Sequence, residues 1–321
     1  MTWAKLLLAA LGLAVLLGGC AAYVDRRAAA REAAFEARYP PTGRLLQVNG
    51  VTVHAHVEGR GPDLVLLHGA SGSSRDFTFD LVGRLTDRYR VIAFDRPGLG
   101  WTDPIGALTE DPRAQADLLR AAADQLDVDD PIVLGHSYGG AVAMAWALGD
   151  PAGTSALVLL AGATHPWPGD LGPWYPFINS SLGQHAAVPL ITAFVPEDRA
   201  EDIIAGIFAP QQPPPGYADH IGAGLSARRD SLRANAQQVG HLKPYLAAMA
   251  PQYPSLTMPI ELLHGDRDTT VYLDIHSRQM VRDVAGAHLV VMPGIGHMPQ
   301  HGDPQAVVDA IDRTATRAGL R

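Results

Sequence analysis

The stretch Gly135-His136-Ser137-Tyr138-Gly139-Gly140 constrains this chain more than any other. Ahead of it, residues 130–134 form a short apolar, β-branched run that reads as a buried parallel strand. Behind it, residues 141–148 are Ala-rich and read as a helix that stops at Gly149-Asp150-Pro151. The hexapeptide must therefore turn a strand into a helix within a few residues. Gly135 and Gly139 remove the two Cβ atoms that would obstruct so sharp a turn, and Ser137 is left at its tip in a strained backbone. Its hydroxyl would stand above the sheet edge, where the next helix aims its first N–H groups at any oxyanion formed there. A bare G-x-S-x-G pattern could be an ordinary Gly-Ser loop. The strand before it and the helix after it are what a nucleophilic serine requires.

The chain has 321 residues, enough for one large α/β domain or two small ones. With 47% hydrophobic and 18% charged residues it can bury a sizeable core, which argues against bulk disorder. A net charge of -8 and the lack of a long basic run argue against nucleic acid as a partner. A single cysteine excludes an internal disulfide and a zinc-type cysteine cluster.

Residues 1–24 read as a signal peptide or membrane anchor, with Lys5 ahead of an uncharged run over 6–24. Leu17-Gly18-Gly19-Cys20 has small residues before a cysteine, the pattern of a lipoprotein signal whose Cys20 is acylated after cleavage. Alternatively, 6–24 is just long enough to span a bilayer uncleaved. A cleaved, fully secreted form is the third possibility. The expectation is a protein attached to a membrane through this segment, with its main domain periplasmic or extracellular. Arg26, Arg27, Arg31 and Arg38 follow the segment and leave its orientation open. Residues 25–43 read as a linker, a helical spacer ended by Tyr39-Pro40-Pro41.

From residue 44 the chain alternates strands and helices. Residues 44–48 and 51–58 around Asn49-Gly50 form a hairpin. Strands follow at 63–67, 90–94 and 154–161, with helices at 77–85 and 112–126. His54 and His56 share a strand face but lack a third metal ligand. His68 reads as a loop-holding residue, and Asp95 and Arg96 are expected to brace each other. Alternation stops over 163–255, where Pro and aromatics concentrate and helices are expected near 197–208 and 218–239. This stretch reads as an inserted cap over the strand ends. Its Trp167, Trp174 and Tyr175 are candidates to line a substrate pocket. The core resumes at 256–321 with strands at 259–263 and 288–292 and helices at 271–284 and 304–315. A carboxylate after one late strand and a histidine after the last follow Ser137 in the order Ser, Asp, His.

Gly135-His136-Ser137-Tyr138-Gly139-Gly140, His68-Gly69, Asp95-Arg96-Pro97-Gly98-Leu99-Gly100, Gly265-Asp266-Arg267-Asp268 and Gly296-His297 together resemble the α/β-hydrolase superfamily, most of all its bacterial esterase-like branch with a helical cap. The resemblance runs from about residue 44 to the C-terminus. It implies an α/β fold with an eight-stranded, mostly parallel sheet. It also implies a catalytic triad of Ser137, Asp268 and His297, with Asp266 and His301 as the rivals for acid and base. By the same resemblance Ala70 joins Tyr138 in offering backbone N–H groups to an oxyanion. Relatives that open epoxides or displace halide use Asp as nucleophile, and Ser137 in that position favours acyl transfer to water. The expected activity is hydrolysis of a small-molecule carboxylic ester, with no cofactor and no metal. Hydrolysis of carbon–carbon bonds, thioesters or lactones on the same scaffold is the alternative. A non-catalytic ligand-binding protein is the alternative of another class.

Overall fold

One sheet runs through the domain: β1 (Arg44–Val48), β2 (Val51–Gly59), β3 (Asp63–Leu67), β4 (Arg90–Phe94), β5 (Ile132–His136), β6 (Ala156–Leu160), β7 (Ile260–Gly265) and β8 (Ala287–Met292). Its order is β1-β2-β4-β3-β5-β6-β7-β8. Pairing is antiparallel for β1–β2 and β2–β4 and parallel for the rest. This computed structural model describes residues 3–321; residues 1–2 lie outside the described residues. The architecture is the one implied by the resemblance.

Helices α1 (Trp3–Arg38), α2 (Arg75–Thr78), α3 (Leu81–Leu85), α4 (Pro112–Asp124) and α5 (Tyr138–Gly149) come first. Between β6 and β7 lie α6 (Trp174–Asn179), α7 (Val188–Phe194), α8 (Asp198–Phe208), α9 (Tyr217–His220), α10 (Ala223–Ser226) and α11 (Arg229–Met249). The chain closes with α12 (Ser277–Asp283), α13 (Pro299–Gly302) and α14 (Pro304–Arg317).

The central strands are apolar throughout because both faces are covered. Val65 and Leu67 of β3 point into one core with α4 and α5, while Leu64 and Leu66 point into the other with α3 and α14. β5 divides in the same way, with Val133 opposite Ile132 and Leu134. Each such side chain contributes about 1.5–3 kcal/mol by leaving water. α4 buries Leu118, Leu119 and Ala122 on one stripe, and its start is fixed by Asp111, which accepts from the Arg113 N–H.

Four expectations change. The helix expected over 77–85 is two short ones, because Asp80 leaves helical geometry with φ -149°. The helix expected over 271–284 begins only at Ser277. The Asp268 carboxylate takes the N–H groups of Thr270 and Val271 at 2.8 and 2.9 Å, which holds that segment as a turn. The helix expected over 218–239 is divided by Gly222, at φ 63°, and by the extended Arg228. Finally, residues 25–38 are not a free-standing spacer. They continue α1 and dock on the insertion, burying Ala28 and Phe35. Arg229 forks onto Glu32 at 2.9 and 2.7 Å, and Arg228 meets Glu36 at 3.0 Å. Burial raises the Glu32 pKa, but the hydrogen bonds and charge of Arg229 outweigh it and the net shift is downward.

The turn into α5 is the tightest junction. A Cβ on Gly139 would overlap the Leu67 carbonyl, and one on Gly135 would overlap the Gly139 carbonyl. Gly139→Ala should therefore cost about 3 kcal/mol or more in denaturant unfolding of the detergent-solubilised chain. Gly83→Ala in α3, where nothing lies within 4 Å, should be neutral or gain roughly 0.5–1 kcal/mol. Equal midpoints for the two variants would contradict this packing account.

Candidate active site

Ser137 sits between β5 and α5 with φ 52° and ψ -119°, a backbone that L-residues rarely adopt. The strain is held from both sides. The Ser137 N–H donates to the Leu160 carbonyl at 3.0 Å, and the Ser137 carbonyl accepts from Gly140 and Ala163, both at 2.9 Å. The hydroxyl is thereby fixed at the strand rim, and the residue is 7% exposed.

His297 follows β8 on the turn Pro293-Gly294-Ile295-Gly296. Its Nε2 lies 2.9 Å from Ser137 Oγ and its Nδ1 lies 2.7 Å from Asp268 Oδ2. Asp268, after β7, is buried. Burial pushes its pKa up. Hydrogen bonds from His264 and His297, the His297 charge and the Val271 N–H together outweigh that, so it is held below the ordinary carboxylate range. The structure thus brings Ser137, His297 and Asp268 into one hydrogen-bonded row. A base that can take a hydroxyl proton and an ionised carboxylate that can steady the resulting imidazolium are in line. The rivals go elsewhere. Asp266 accepts from the Gly294 N–H at 2.7 Å, and His301 Nε2 meets Asp76 at 2.8 Å.

His136 precedes Ser137 and donates from Nε2 to the His297 carbonyl at 3.0 Å. Burial, and then the neighbouring His297, lower its pKa to about 4, so it is a neutral donor that fixes the His297 backbone. Sequence reading gave this residue no role.

The Ala70 and Tyr138 N–H groups make no hydrogen bond to another described residue. Tyr138 opens α5, where the helix leaves its first donors unpaired. Ala70 lies on the loop after β3, behind two residues locked by Arg96. The Arg96 side chain is fully buried and forms no ion pair among the described residues. It donates to the carbonyls of His68 at 2.8 Å and Gly69 at 2.9 Å, and to Gln115 and Gln238 at 2.9 and 2.7 Å. Its guanidinium also lies 4.3 Å from the Tyr138 ring centroid. Burial lowers its pKa from 12.5 to about 10. Arg96 and Asp95 do not brace each other as expected. Asp95 instead accepts from His54 Nδ1 and the Ser74 and Trp101 N–H groups, at 2.6–2.8 Å. His54 and His56, which sequence reading did not take as a metal pair, have separate partners, since His56 turns to Glu58. His68 holds its loop as expected, accepting from the Arg96 N–H at 2.9 Å.

The insertion reaches the site through residues that sequence reading missed. Asn235 accepts from the Ser71 N–H at 2.7 Å, and Ser226 Oγ donates to the Ser71 carbonyl at 2.6 Å. Gln211 donates to the Gly294 carbonyl at 2.8 Å and accepts from the Gly296 N–H at 2.9 Å, clasping the turn that carries His297. Nothing in the local sequence marks such residues, because each acts on backbone. Of the pocket candidates, Trp167 packs against the core 6.4 Å from the His276 ring, Tyr175 packs on Ile178 within the insertion, and Trp174 is 52% exposed. Cys20 is exposed on α1. Among the described residues no group of three His, Cys, Asp or Glu side chains is arranged to hold a metal.

Residues 64–310 match the model of the alpha/beta hydrolase family. A polyketide synthase of Burkholderia thailandensis is 31% identical over 92% of this chain, which spans only 14% of that much longer protein. A Pseudomonas 2-hydroxy-6-oxononadienedioate/2-hydroxy-6-oxononatrienedioate hydrolase is 28% identical over 80% of this chain and 89% of its own. Among solved structures, a membrane phospholipase A superposes with TM-score 0.67 at 22% identity, covering 98% of this chain and 99% of that one. An esterase from Rhodococcus sp. ECU1013 does so with TM-score 0.67 at 23% identity, covering 86% and 98%. With the family model matched over most of its length, this chain belongs to the alpha/beta hydrolase family.

Proposed function

We propose that this protein is a serine hydrolase that cleaves carboxylic esters through an acyl-enzyme. The observation that carries the reading is the row Ser137 Oγ, His297, Asp268 with separations of 2.9 and 2.7 Å. In the first half-reaction Ser137 Oγ attacks the acyl carbon and its proton passes to His297 Nε2. The alcohol leaves with that proton. A water molecule then attacks the acyl-enzyme, gives a proton to His297, and releases the acid as Ser137 recovers its own. Asp268 keeps the Nδ1–H tautomer and steadies the imidazolium. The N–H groups of Tyr138 and Ala70 take the oxyanion, a contribution commonly about 3 kcal/mol per donor. Arg96 acts as a positioning residue, because its hold on the Gly69 carbonyl orients the peptide that bears the Ala70 N–H.

Carbon–carbon bond hydrolysis is the second reading, favoured by the dienedioate hydrolase relative. A dicarboxylate ligand calls for unspent cations. Arg96 has its donors committed to two carbonyls and two glutamines, which supports the ester reading. We further propose that α1 holds the protein at a membrane. It is long and apolar enough to cross one, with mean hydropathy 2.2 in its most apolar stretch.

A fluorophosphonate probe should label the wild type, and Ser137→Ala should abolish labelling; an unlabelled wild type would overturn the enzyme reading. On p-nitrophenyl esters of graded chain length, Asp268→Asn should lower kcat by a factor on the order of 10^4. Turnover of 2-hydroxy-6-oxo dienoates without ester hydrolysis would shift the assignment to the second reading. Arg96→Lys should lower kcat by about tenfold or more with KM nearly unchanged, since it loosens an oxyanion donor. A parallel rise in KM with kcat intact would make Arg96 a purely structural residue.

A further inference from the structure

We infer that the surface built by residues 171–196 rests in the bilayer interface beside α1. This deepens the proposed membrane attachment and rests on it. From Leu171 to Pro196 the sequence has no Asp, Glu, Lys or Arg. In the fold this uncharged stretch faces outward, leaving Trp174, Phe177, Leu182, Leu190 and Phe194 exposed, Leu182 by 66%. Isolated exposed apolar residues are ordinary, but an uncharged run that exposes large ones throughout marks an interaction surface.

The occupant follows from what adjoins the surface. Leu190 and Phe194 of α7 share an apolar hollow of about 600 Å³ with Val15, Leu16, Cys20 and Tyr23 of α1. From Val15 to Val24 the helix rises roughly 14 Å. α7 therefore runs beside the part of α1 that is apolar enough to enter a bilayer, and lies at its depth. With α1 uncleaved, Val15 and Leu16 stay in place and the hollow adjoins the lipid.

The change from apolar to charged also comes at one level on both elements. On α1 the uncharged run after Lys5 ends at Asp25, and Arg27 packs 5.0 Å from the Phe194 ring centroid. On the α7 side they begin at Glu197, just past Val195, whose carbonyl accepts from Arg31 at 2.8 Å. Arg27 Nε takes the Ala193 carbonyl at 2.9 Å. Two segments far apart in sequence thus share one polarity boundary, and Trp174 and Tyr23 are residues suited to the headgroup level. Fixed to α1 through Glu32–Arg229 and Glu36–Arg228, the insertion cannot sit away from the bilayer while α1 is inside it.

The test uses the full chain in phosphatidylcholine/phosphatidylglycerol vesicles, with Leu182→Cys or, as control, Asp309→Cys on the exposed face of α14, each in a Cys20→Ala background and labelled with an environment-sensitive fluorophore. Flotation after an alkaline wash reads anchoring. Doxyl-labelled lipid and aqueous iodide read the position of the label. The expected result is flotation, with quenching by doxyl lipid about threefold or more stronger at position 182 than at 309, and iodide access in the reverse order. Flotation with the 182 label open to iodide and unquenched by lipid would overturn this inference and leave the anchor standing. Shielding from iodide without lipid quenching would mean a second copy of the chain covers the face, and would also overturn it. No flotation would remove the uncleaved α1 anchor on which this inference rests.

Discussion

The bend at Ser137 sets the position of everything around it. A left-handed serine costs about 1–3 kcal/mol and persists only where its surroundings leave it no alternative. Here β6 takes its N–H, Ala163 takes its carbonyl, and Gly139 is pressed under the Leu67 carbonyl at the end of β3. The start of α5 is therefore wedged among the C-terminal ends of three parallel strands. That wedge fixes the serine hydroxyl and the Tyr138 N–H together, since both belong to the same turn. The loops after β3, β7 and β8 end at the same rim because parallel strands share a direction.

A second constraint is the burial of two adjacent charges that do not pair with each other. Asp95 and Arg96 are neighbours in sequence and are both buried, yet they do not pair. Asp95 is surrounded by donors and Arg96 by acceptors, most of them backbone groups. Leaving any of these unsatisfied would cost about 1–3 kcal/mol each. Burial raises the Asp95 pKa, but His54, His68 and the Ser74 N–H outweigh it and keep the group ionised. The polar layer thereby locks the loop after β3 into one conformation and leaves the Ala70 N–H unpaired at its tip.

Legibility from sequence divides along the same physical line. The strands and Ser137 could be read because apolar runs and glycine spacing are local signals, and they act through backbone sterics alone. His297 and Asp268 could be read from chain order and resemblance. The hydrogen bonds of Asn235, Gln211 and Gln238 could not, because an amide that bonds a distant backbone group leaves no periodic trace. The docking of residues 25–38 was hidden for a related reason. Charges on one helix read as solvated unless the partner Arg228-Arg229 pair, some 190 positions away in sequence, is known to face them. The failed helix at 271–276 is a local override, in which a site carboxylate takes N–H groups that a helix would have used.

These contacts converge on α11. Arg229 at its start holds Glu32 of α1, Asn235 holds Ser71, and Gln238 holds Arg96. Between Arg229 and Gln238 the helix rises roughly 14 Å, so one rigid element links the N-terminal helix to the donor loop. A chain of contacts transmits a signal only if some member has two arrangements of similar energy. Here each member is held by at least one hydrogen bond. Rotating α11 would break the Asn235, Gln238 and Arg229 bonds together, at about 1 kcal/mol for a neutral bond and more for those to charged groups. Such an element acts as a brace rather than a switch, and its effect on chemistry is preorganisation. It holds the loop that carries the unpaired Ala70 N–H in one conformation, and donors fixed before any substrate arrives are where electrostatic catalysis gains most.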